Sequence, residues 1–468
     1  AVCAKSQQQA ARAQQQQAKW GRLGVGKAAT LQAGESVGRD TVEQEVCVVK
    51  GFERNGPLTH WDQGSNGGLC YNYYTPNHYV CGCVATATAQ VMRYFEWPTN
   101  SLPKYTGTCS IGGDGRKGGG VSIQLTTVGG LFDWDKMIGM DTNAYAPEEC
   151  REAIGHLTYD IGVYIGMHYT AGESGANVGS GFFTGKMGYA NANSAGGAPE
   201  DPRDITVGLH KLSERQRVIY ANLDASRPVL MSIRGYELVD GKIPDPPPAD
   251  DAAHEVVADG YGYQTIDGEK VDFVHVNMGW GGSDDAWYNL PDVNAANTGA
   301  TINSTGTDFC FLYGSVCNIS PLEKGNLISG RVQDDYGVAL AGAEIVATSV
   351  ADPSVTYTTT SGETGLYAFA LPDGEYDIVG TYGALTGELK GAKPSCADGF
   401  NSWGNDFILV ENTVKVGDVE FSSIDKAYAY AAEKGLGTIE VLKDTSLKAG
   451  LIVTTDVSIV AVGGCWRV

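Results

Sequence analysis

The stretch Cys83-Val84-Ala85-Thr86-Ala87-Thr88-Ala89-Gln90 carries the strongest structural pattern in the chain. Apolar side chains recur at helical spacing, at Val84, Ala87, Val91 and Phe95, so one face of the predicted helix is buried. Cys83 stands at the first turn, where unpaired backbone N–H groups and the helix dipole favour a thiolate, the reactive form. A nucleophilic thiol is one interpretation, and a buried structural cysteine is the other.

His254 is the candidate base for that thiol. It lies just before the apolar run 256–258 and the turn Asp259-Gly260, which predicts an imidazole at the start of a strand, open to a cleft. There it would take the thiol proton and return it to a leaving amine. A structural histidine at a strand edge is the alternative. His275 competes for the role, since strand alternation places it on the same face as Asn277.

Two further candidates would complete such a site. The glycines of 279–282 permit a tight turn, through which the Asn277 amide reaches the imidazole and the Trp280 indole shields that contact from water. A plain Gly-rich hairpin with a packed Trp is the alternative. Upstream, the loop residue Gln63 would form an oxyanion hole with the Cys83 backbone N–H, although a loop glutamine usually faces solvent.

The composition narrows the classes of function. The chain has 468 residues with 33 Lys+Arg against 55 Asp+Glu, a formal charge of -22, and no basic run, so nucleic acid is not an expected partner. Its 63 glycines and its Tyr, Thr and Val content favour a folded, β-rich protein. No run of about 18 apolar residues predicts a membrane span. The 11 cysteines match neither a disulfide-stapled scaffold nor a repeated zinc motif, and no metal is expected.

Four patterns follow one another along the chain. Residues 1–51 are Gln/Ala-rich, and we interpret them as a possible propeptide remnant. Residues 52–322 read as one domain, with a helical half followed by antiparallel strands. Residues 325–400 show short strands every 8 to 12 residues, which predicts a small β-sandwich. In 411–468 strands flank a helix, which predicts the start of a parallel β-helix.

The motifs of the second pattern, in their order, resemble the streptopain family of papain-fold cysteine peptidases over about residues 57–293. The most specific of them is the helix motif 82–94. The other matching segments are 57–63, 71–76, 160–163, 227–229, 254–261 and 275–282. The resemblance implies an α+β class, with a papain-like cysteine peptidase domain that has a helical half and an antiparallel β half. The sandwich and the β-helix-like segment would follow it.

Carried over residue by residue, the resemblance implies that Cys83 is the nucleophile, His254 the base and Gln63 the oxyanion donor. It selects His254 over His275. It also implies that Asn277 and Trp280 shape the surroundings of the histidine. In the substrate cleft it places Gly175, from the loop 174–176, and Ala253.

Two departures from the family pattern stand beside these residues. Met278 replaces a Trp, and the loss of that indole would admit water to the contact between the amide and the imidazole. Ala253-His254-Glu255-Val256 replaces the usual Gly-His-Ala-Phe, and the acidic Glu255 would raise the His pKa or alter substrate choice. The segment before the motif is also shorter than the inhibitory propeptide of the family, so we expect that it was cleaved or that the sequence is a fragment.

The expected function is that of a secreted or cell-surface bacterial cysteine endopeptidase. It would hydrolyse protein or peptide substrates through a thioester on Cys83, with His254 as base and acid and with no metal or organic cofactor. The alternative is a catalytically weak or inactive homologue that acts as a surface binding protein. In 325–400 the residues also resemble the carboxypeptidase regulatory-like fold, usually a stalk, so the C-terminal β modules would attach the protein to a cell surface or a polysaccharide. No signal peptide is visible in the sequence.

Overall fold

The computed structural model describes residues 47–48, 59–113, 119–139, 146–196, 218–223, 225, 227–235, 252–266, 269–288, 302–304, 307–321, 325–362, 365–394, 402–443 and 456–462. The chain divides into two compact units, Ala1–Gly325 and Asn326–Val468. The predicted Gln/Ala-rich segment 1–51 lies outside the described residues, except for 47–48.

The first half of the first unit contains α-helices of 13 and 18 residues among its described residues. Its elements are β1 Cys47–Val48, α1 Cys83–Phe95, β2 Thr106–Ile111, β3 Val121–Thr126, α2 Glu148–Ile165, β4 His168–Tyr169 and α3 Ser180–Gly185, with 3-10 turns at Pro76–His78 and Trp134–Lys136. α1 is buried from Val84 to Met92. In α2, Glu148 and Glu149 occupy the first turn, where carboxylates interact favourably with the helix dipole, and Gly166 ends the helix in the left-handed conformation.

The second half of this unit is a sheet. Its strands are β5 Asn191–Gly196, β6 Val229–Gly235, β7 Ala252–Ile266, β8 Glu269–Asn277, β9 Ala286–Tyr288, β10 Ile302–Ser304 and β11 Thr307–Ser320. Among the described residues the strand order is β10-β11-β6-β7-β8-β9, with β1 paired to β7 and β5 paired to β11. These pairings are antiparallel. α1 packs against β7 and β6.

The antiparallel pairing brings two distant parts of the sequence together. His254, near the start of β7, lies opposite Ile233 of β6. Three residues further along β7, Val257 lies opposite Asn277, the last residue of β8. The turn that follows β8 therefore runs back beside the first residues of β7, at the edge where α1 begins.

The described residues of the second unit form strands and one helix. Its elements are β12 Asn326–Gln333, β13 Glu344–Ser349, β14 Thr356–Thr360, β15 Leu366–Leu371, β16 Tyr376–Tyr382, β17 Leu385–Ala392, β18 Ser402–Trp403, β19 Phe407–Ile408, β20 Val410–Glu411, β21 Val414–Val416, β22 Val419–Phe421, α4 Ile424–Lys434, β23 Thr438–Val441 and β24 Ser458–Ala461. One sheet has the order β15-β12-β18 and another β14-β13-β16-β17-β20. Residues of both sheets share one apolar core, which includes Ile328, Ile345 and Ile378.

The C-terminal segment differs in part from its prediction. β23 and β24 pair in parallel, as coils of a β-helix do. β21 instead pairs antiparallel with both β22 and β23. The reason is local: Gly417, between β21 and β22, has φ 60 and reverses the chain in a tight hairpin. The prediction of parallel coils holds only for the last pair.

The predicted α+β class is confirmed, with a helical half, an antiparallel half and all-β sheets C-terminal to them. None of the helices in the described ranges has the length and apolar character needed to cross a membrane.

Candidate active site

The Cys83 side chain lies at the first turn of α1, where the loop before the helix is tightly packed. Gly82 has φ 91, and a Cβ added to it would lie 2.6 Å from the carbonyl oxygen of Ser174. Only glycine allows both this backbone conformation and this close approach. The result is that the 174–176 loop crosses directly over the residue before the candidate nucleophile.

The environment of the thiol opposes charge overall. Burial raises the pKa of Cys83 to about 11, although hydrogen bonding from the backbone N–H groups of Glu255 and Val84 lowers it. The influence of Glu255 on the thiol is informative because Glu255 follows His254 on β7, and α1 packs against this strand. The Cys83 sulfur therefore lies against the strand segment that carries the candidate base.

The His254 imidazole is buried and held on two sides. Its Nε2 lies 2.7 Å from the main-chain oxygen of Met278. Its ring stacks on the Trp280 indole, with centroids 4.5 Å apart and an interplanar angle of 24°. A carbonyl can only accept a hydrogen bond, so Nε2 carries the proton and the neutral ring has its lone pair on Nδ1. Burial lowers the pKa of His254 to about 4, although the Met278 carbonyl opposes this shift.

The Asn277 side chain has hydrogen-bond partners other than the imidazole. Its Oδ1 accepts from Gln90 Nε2 at 3.0 Å and from the Gly279 N–H at 3.0 Å. Its Nδ2 donates to the Thr59 carbonyl at 3.1 Å. The predicted contact between the amide and the imidazole is therefore corrected: the Met278 carbonyl accepts from His254, and Asn277 fixes the turn that presents this carbonyl. The physical reason is that Gly279, with φ 68, folds back so that its own N–H meets the amide oxygen.

Residues 47–288, a little more than half of the chain, match the peptidase C10 family. The chain belongs to the peptidase C10 family. The resemblance inferred from the sequence motifs is confirmed.

Several proteins are similar to this C10 family member. Streptopain of Streptococcus pyogenes serotype M1 is 26% identical over 282 residues, which cover 55% of this chain and 60% of streptopain. Thiol protease/hemagglutinin PrtT of Porphyromonas gingivalis is 26% identical over 322 residues, which cover 67% of this chain and 32% of PrtT. The structure of active wild-type interpain A, a cysteine protease of Prevotella intermedia, is 22% identical with a TM-score of 0.41, and the match covers 56% of this chain and 92% of that structure. The chain thus spans about 60% of the length of the streptopain that it matches.

Met278 contributes to the C10 site through its main chain. Met278 is fully buried, and the group it offers to His254 is its main-chain carbonyl. Any residue at this position would supply the same main-chain oxygen, whatever its side chain. The imidazole is still covered by an indole, that of Trp280.

The second departure places a carboxyl group beside the nucleophile. Glu255 is buried, and its Oε2 accepts from the Ser232 hydroxyl at 2.5 Å, across the pairing of β7 with β6. Burial raises the pKa of Glu255 to about 7, although the bond from Ser232 lowers it. When ionised, the carboxylate raises the pKa of the Cys83 thiol.

Gln63 is anchored through its backbone. Its N–H donates to Asp62 Oδ1 at 2.6 Å, and its carbonyl accepts from the Cys81 N–H at 2.9 Å. Because Cys81 stands two residues before Cys83, these bonds hold the Gln63 loop beside the start of α1. Its role as an oxyanion donor remains a prediction.

The two residues predicted to line the substrate cleft, Gly175 and Ala253, both lie next to open space. Gly175 exchanges two backbone hydrogen bonds with His168, at 3.0 and 3.1 Å, and a Cβ added to it would meet nothing within 4 Å. Ala253 is exposed beside the buried His254. Their contact with substrate remains a prediction.

His275 belongs to a different cluster. Its Nδ1 donates to the Asp259 carboxylate, and its ring meets the Trp287 ring edge-on, with centroids 5.0 Å apart. This pairing gives His275 a structural partner of its own.

Sequence reasoning missed the groups behind the turn. Asp285 Oδ1 accepts from the Met278 N–H at 2.7 Å, and Asp285 Oδ2 accepts from His60 Nδ1 at 2.8 Å. An Asp after a Gly-rich turn is common, so its identity gave no signal. In the described part of the chain, no group of three or more His, Cys, Asp or Glu side chains could hold a metal ion.

Proposed function

We propose that this chain is a cysteine endopeptidase that hydrolyses peptide bonds in proteins through a thioester on Cys83. One observation carries the proposal: Cys83 begins α1, which packs against β7, and β7 carries Glu255 beside the thiol and, next to it, His254, whose Nε2–H is fixed by the Met278 carbonyl. The basic Nδ1 is then the nitrogen available for proton transfer. Membership of the peptidase C10 family supports the same chemistry.

The reaction follows from these groups. His254 Nδ1 takes the thiol proton as the Cys83 sulfur attacks the substrate carbonyl carbon. The oxyanion that forms would be bound by the Cys83 N–H and by the Gln63 amide. The C–N bond breaks, and the imidazolium gives its proton to the leaving amine. Water then attacks the thioester with His254 as base, which releases the acid and restores the thiol.

Three substitutions test the proposal, with casein cleavage as the assay. Cys83→Ala should abolish cleavage, and His254→Ala should reduce kcat by about a thousandfold or more. His275→Ala is the comparison variant because it removes an imidazole that is paired with the Asp259 carboxylate, and it should retain cleavage. If His275→Ala removes all activity in a folded protein while His254→Ala does not, the assignment of the base is wrong.

Selective alkylation provides a second readout. Iodoacetamide should label Cys83 ahead of Cys81, which is fully buried and has its Sγ 3.3 Å from the Thr86 hydroxyl. Cys83 should react first because the adjacent His254 can take its proton and so produce the reactive thiolate. Equal labelling of both cysteines would contradict an activated nucleophile.

A weak or inactive peptidase homologue that binds surfaces is the second candidate. The observation that favours it is the buried Glu255 carboxyl, which opposes ionisation of Cys83. If casein cleavage is the same before and after the thiol is blocked, this candidate replaces the enzyme. Secretion or surface location, and attachment to a cell surface or polysaccharide through the second unit, are further proposals. Fractionation of the producing cells tests the location.

A further inference from the structure

The carbonyl that orients His254 belongs to Met278, whose N–H is also hydrogen-bonded. The Met278 carbonyl meets His254 Nε2 at 2.7 Å, and the Met278 N–H donates to Asp285 Oδ1 at 2.7 Å. Both polar groups of one residue are thus engaged, one by the imidazole and the other by a carboxylate. A shift of Asp285 would therefore be transmitted to the imidazole through one residue.

Asp285 is itself held in place. Its side chain is 1% exposed, and its second oxygen accepts from His60 Nδ1 at 2.8 Å. A buried carboxylate is stable only when its oxygens are hydrogen-bonded, so each of the two bonds supports the other. His60 lies against the same turn, because a Cβ added to Gly282 would lie 3.3 Å from its ring.

The electrostatic surroundings of this pair come from three elements. His60 lies in the loop before α1, Asp259 lies on β7, and His275 lies on β8. Burial lowers the pKa of His60, but the bond and charge of Asp285, together with the charge of Asp259, outweigh it and raise the pKa. His275 opposes that shift. Two imidazoles thus face two carboxyl groups, which favours a protonated His60.

We propose that Asp285, held by His60, is a positioning residue for His254: it fixes the Met278 carbonyl and, through it, the Nε2–H tautomer that leaves Nδ1 as the base. This inference rests on the proposed peptidase function. Asp285 does not touch the reacting atoms, and its contribution is the orientation and protonation site of the imidazole. Without the bond from the Met278 N–H to Asp285, the Met278 carbonyl would be free to move with the turn, and the imidazole would lose its fixed orientation.

Asp285→Ala and Asp285→Asn test the proposal in the full chain, with fluorescein-labelled casein as substrate. Asp285→Ala should lower kcat by about 10- to 100-fold with little change in KM, because a charge-assisted hydrogen bond is lost and the substrate surface is not altered. Asp285→Asn keeps an oxygen for the Met278 N–H and should recover most of kcat. Equal loss in both variants, or an unchanged kcat in Asp285→Ala, would overturn the proposal.

The tautomer of His254 gives a readout that does not depend on catalysis. With 15N-labelled histidine, wild type and Asp285→Asn should show His254 as the Nε2–H tautomer, and Asp285→Ala should show a mixture. The same pure tautomer in all three proteins would overturn the positioning role. If wild type cleaves no casein, the proposed function fails, but this measurement still decides the role of Asp285.

Asp160→Ala is the matched control. The Asp160 side chain is also 1% exposed, accepts from the Val128 and Gly129 N–H groups at 2.7 and 3.0 Å, and lies 3.2 Å from His156 Nε2. The Asp160→Ala protein should be less stable than wild type but should keep the wild-type kcat and the wild-type tautomer of His254. If Asp285→Ala does not fold, His60→Leu takes its place and should lower kcat and mix the tautomers. An unchanged kcat and tautomer in His60→Leu would then overturn the proposal.

Discussion

Cys83 and His254 both lie where burial opposes charge. The thiol pKa is raised to about 11 and the imidazole pKa is lowered to about 4. Both shifts favour a neutral thiol and a neutral imidazole over the charged pair. Proton transfer from sulfur to Nδ1 must then accompany attack on the substrate, which makes the orientation of the imidazole decisive.

Glu255 should make the reactivity of Cys83 depend on pH. The pKa of Glu255 is raised to about 7 by burial, so the carboxyl is neutral at pH 6 and charged at pH 8. The charged form raises the pKa of the thiol. Glu255→Gln should therefore accelerate alkylation of Cys83 by iodoacetamide at pH 8, by up to about tenfold, with no effect at pH 6. The measurement is the alkylation rate of wild type and variant between pH 5 and pH 9.

Ser232→Ala is the control for that experiment. The Ser232 hydroxyl lowers the pKa of Glu255, so its removal should move the inhibitory step in the alkylation profile to higher pH. Equal rates for wild type and Glu255→Gln at pH 8 would show that the carboxylate does not act on the thiol.

The sequence predicted the side chains of the candidate site better than its hydrogen bonds. Cys83 and His254 were identifiable because each stands at the beginning of a strongly patterned element. The acceptor for His254 was not, because it is the main-chain carbonyl of Met278 and any residue would supply it. Asp285 and His60 were missed because they are 225 residues apart in sequence and join only through the fold.

At the scale of elements, α1 and β7 place the two reactive groups, and their patterns were visible in the sequence. The apolar run 256–258, which was predicted to belong to a strand that begins near His254, falls within β7. Strand order was not predictable from these patterns. β11 lies between β10 and β6, although 71 residues separate the end of β6 from the start of β11. Such pairing depends on contacts between distant parts of the chain, which no local sequence pattern contains.

Close packing of α2 against the loop that leads to α1 should be sensitive to one methyl group. A Cβ added to Gly155 would lie 2.4 Å from Tyr73 Cβ and 2.5 Å from the Cys70 carbonyl oxygen. The overlap should outweigh the gain in helix propensity from Ala, so Gly155→Ala should lower the free energy of unfolding by about 2 kcal/mol. Urea denaturation followed by tryptophan fluorescence measures the change.

The comparison variant is Gly181→Ala, in α3. A Cβ at Gly181 meets nothing within 4 Å, so this change should be neutral or stabilise the protein by up to about 1 kcal/mol. If Gly155→Ala were as stable as Gly181→Ala, the close packing of α2 against Tyr73 and Cys70 would be contradicted.

At the scale of the whole molecule, each unit has a core of its own. The core around α1 and α2 contains residues between Trp61 and Ile319. The core of the two sheets in the second unit contains residues between Ile328 and Leu409. Sequence spacing of 8 to 12 residues predicted short strands for 325–400, but the split of those strands between two sheets depends on pairings such as that of β13 with β16, which skip over β14 and β15.

Because the cores are separate, the two units should unfold in separate transitions. Ile378 is fully buried in β16, and Ile378→Ala should destabilise the second unit by about 2 to 5 kcal/mol. Calorimetry should then show one transition at a lower temperature, while the other transition and the kcat for casein stay at their wild-type values. Ile161→Ala, at a fully buried position of α2, is the reciprocal control and should lower only the other transition. A single transition that moves with either substitution would mean that the peptidase unit depends on the β modules for its stability, and the second unit would then be part of the catalytic fold rather than an appended module.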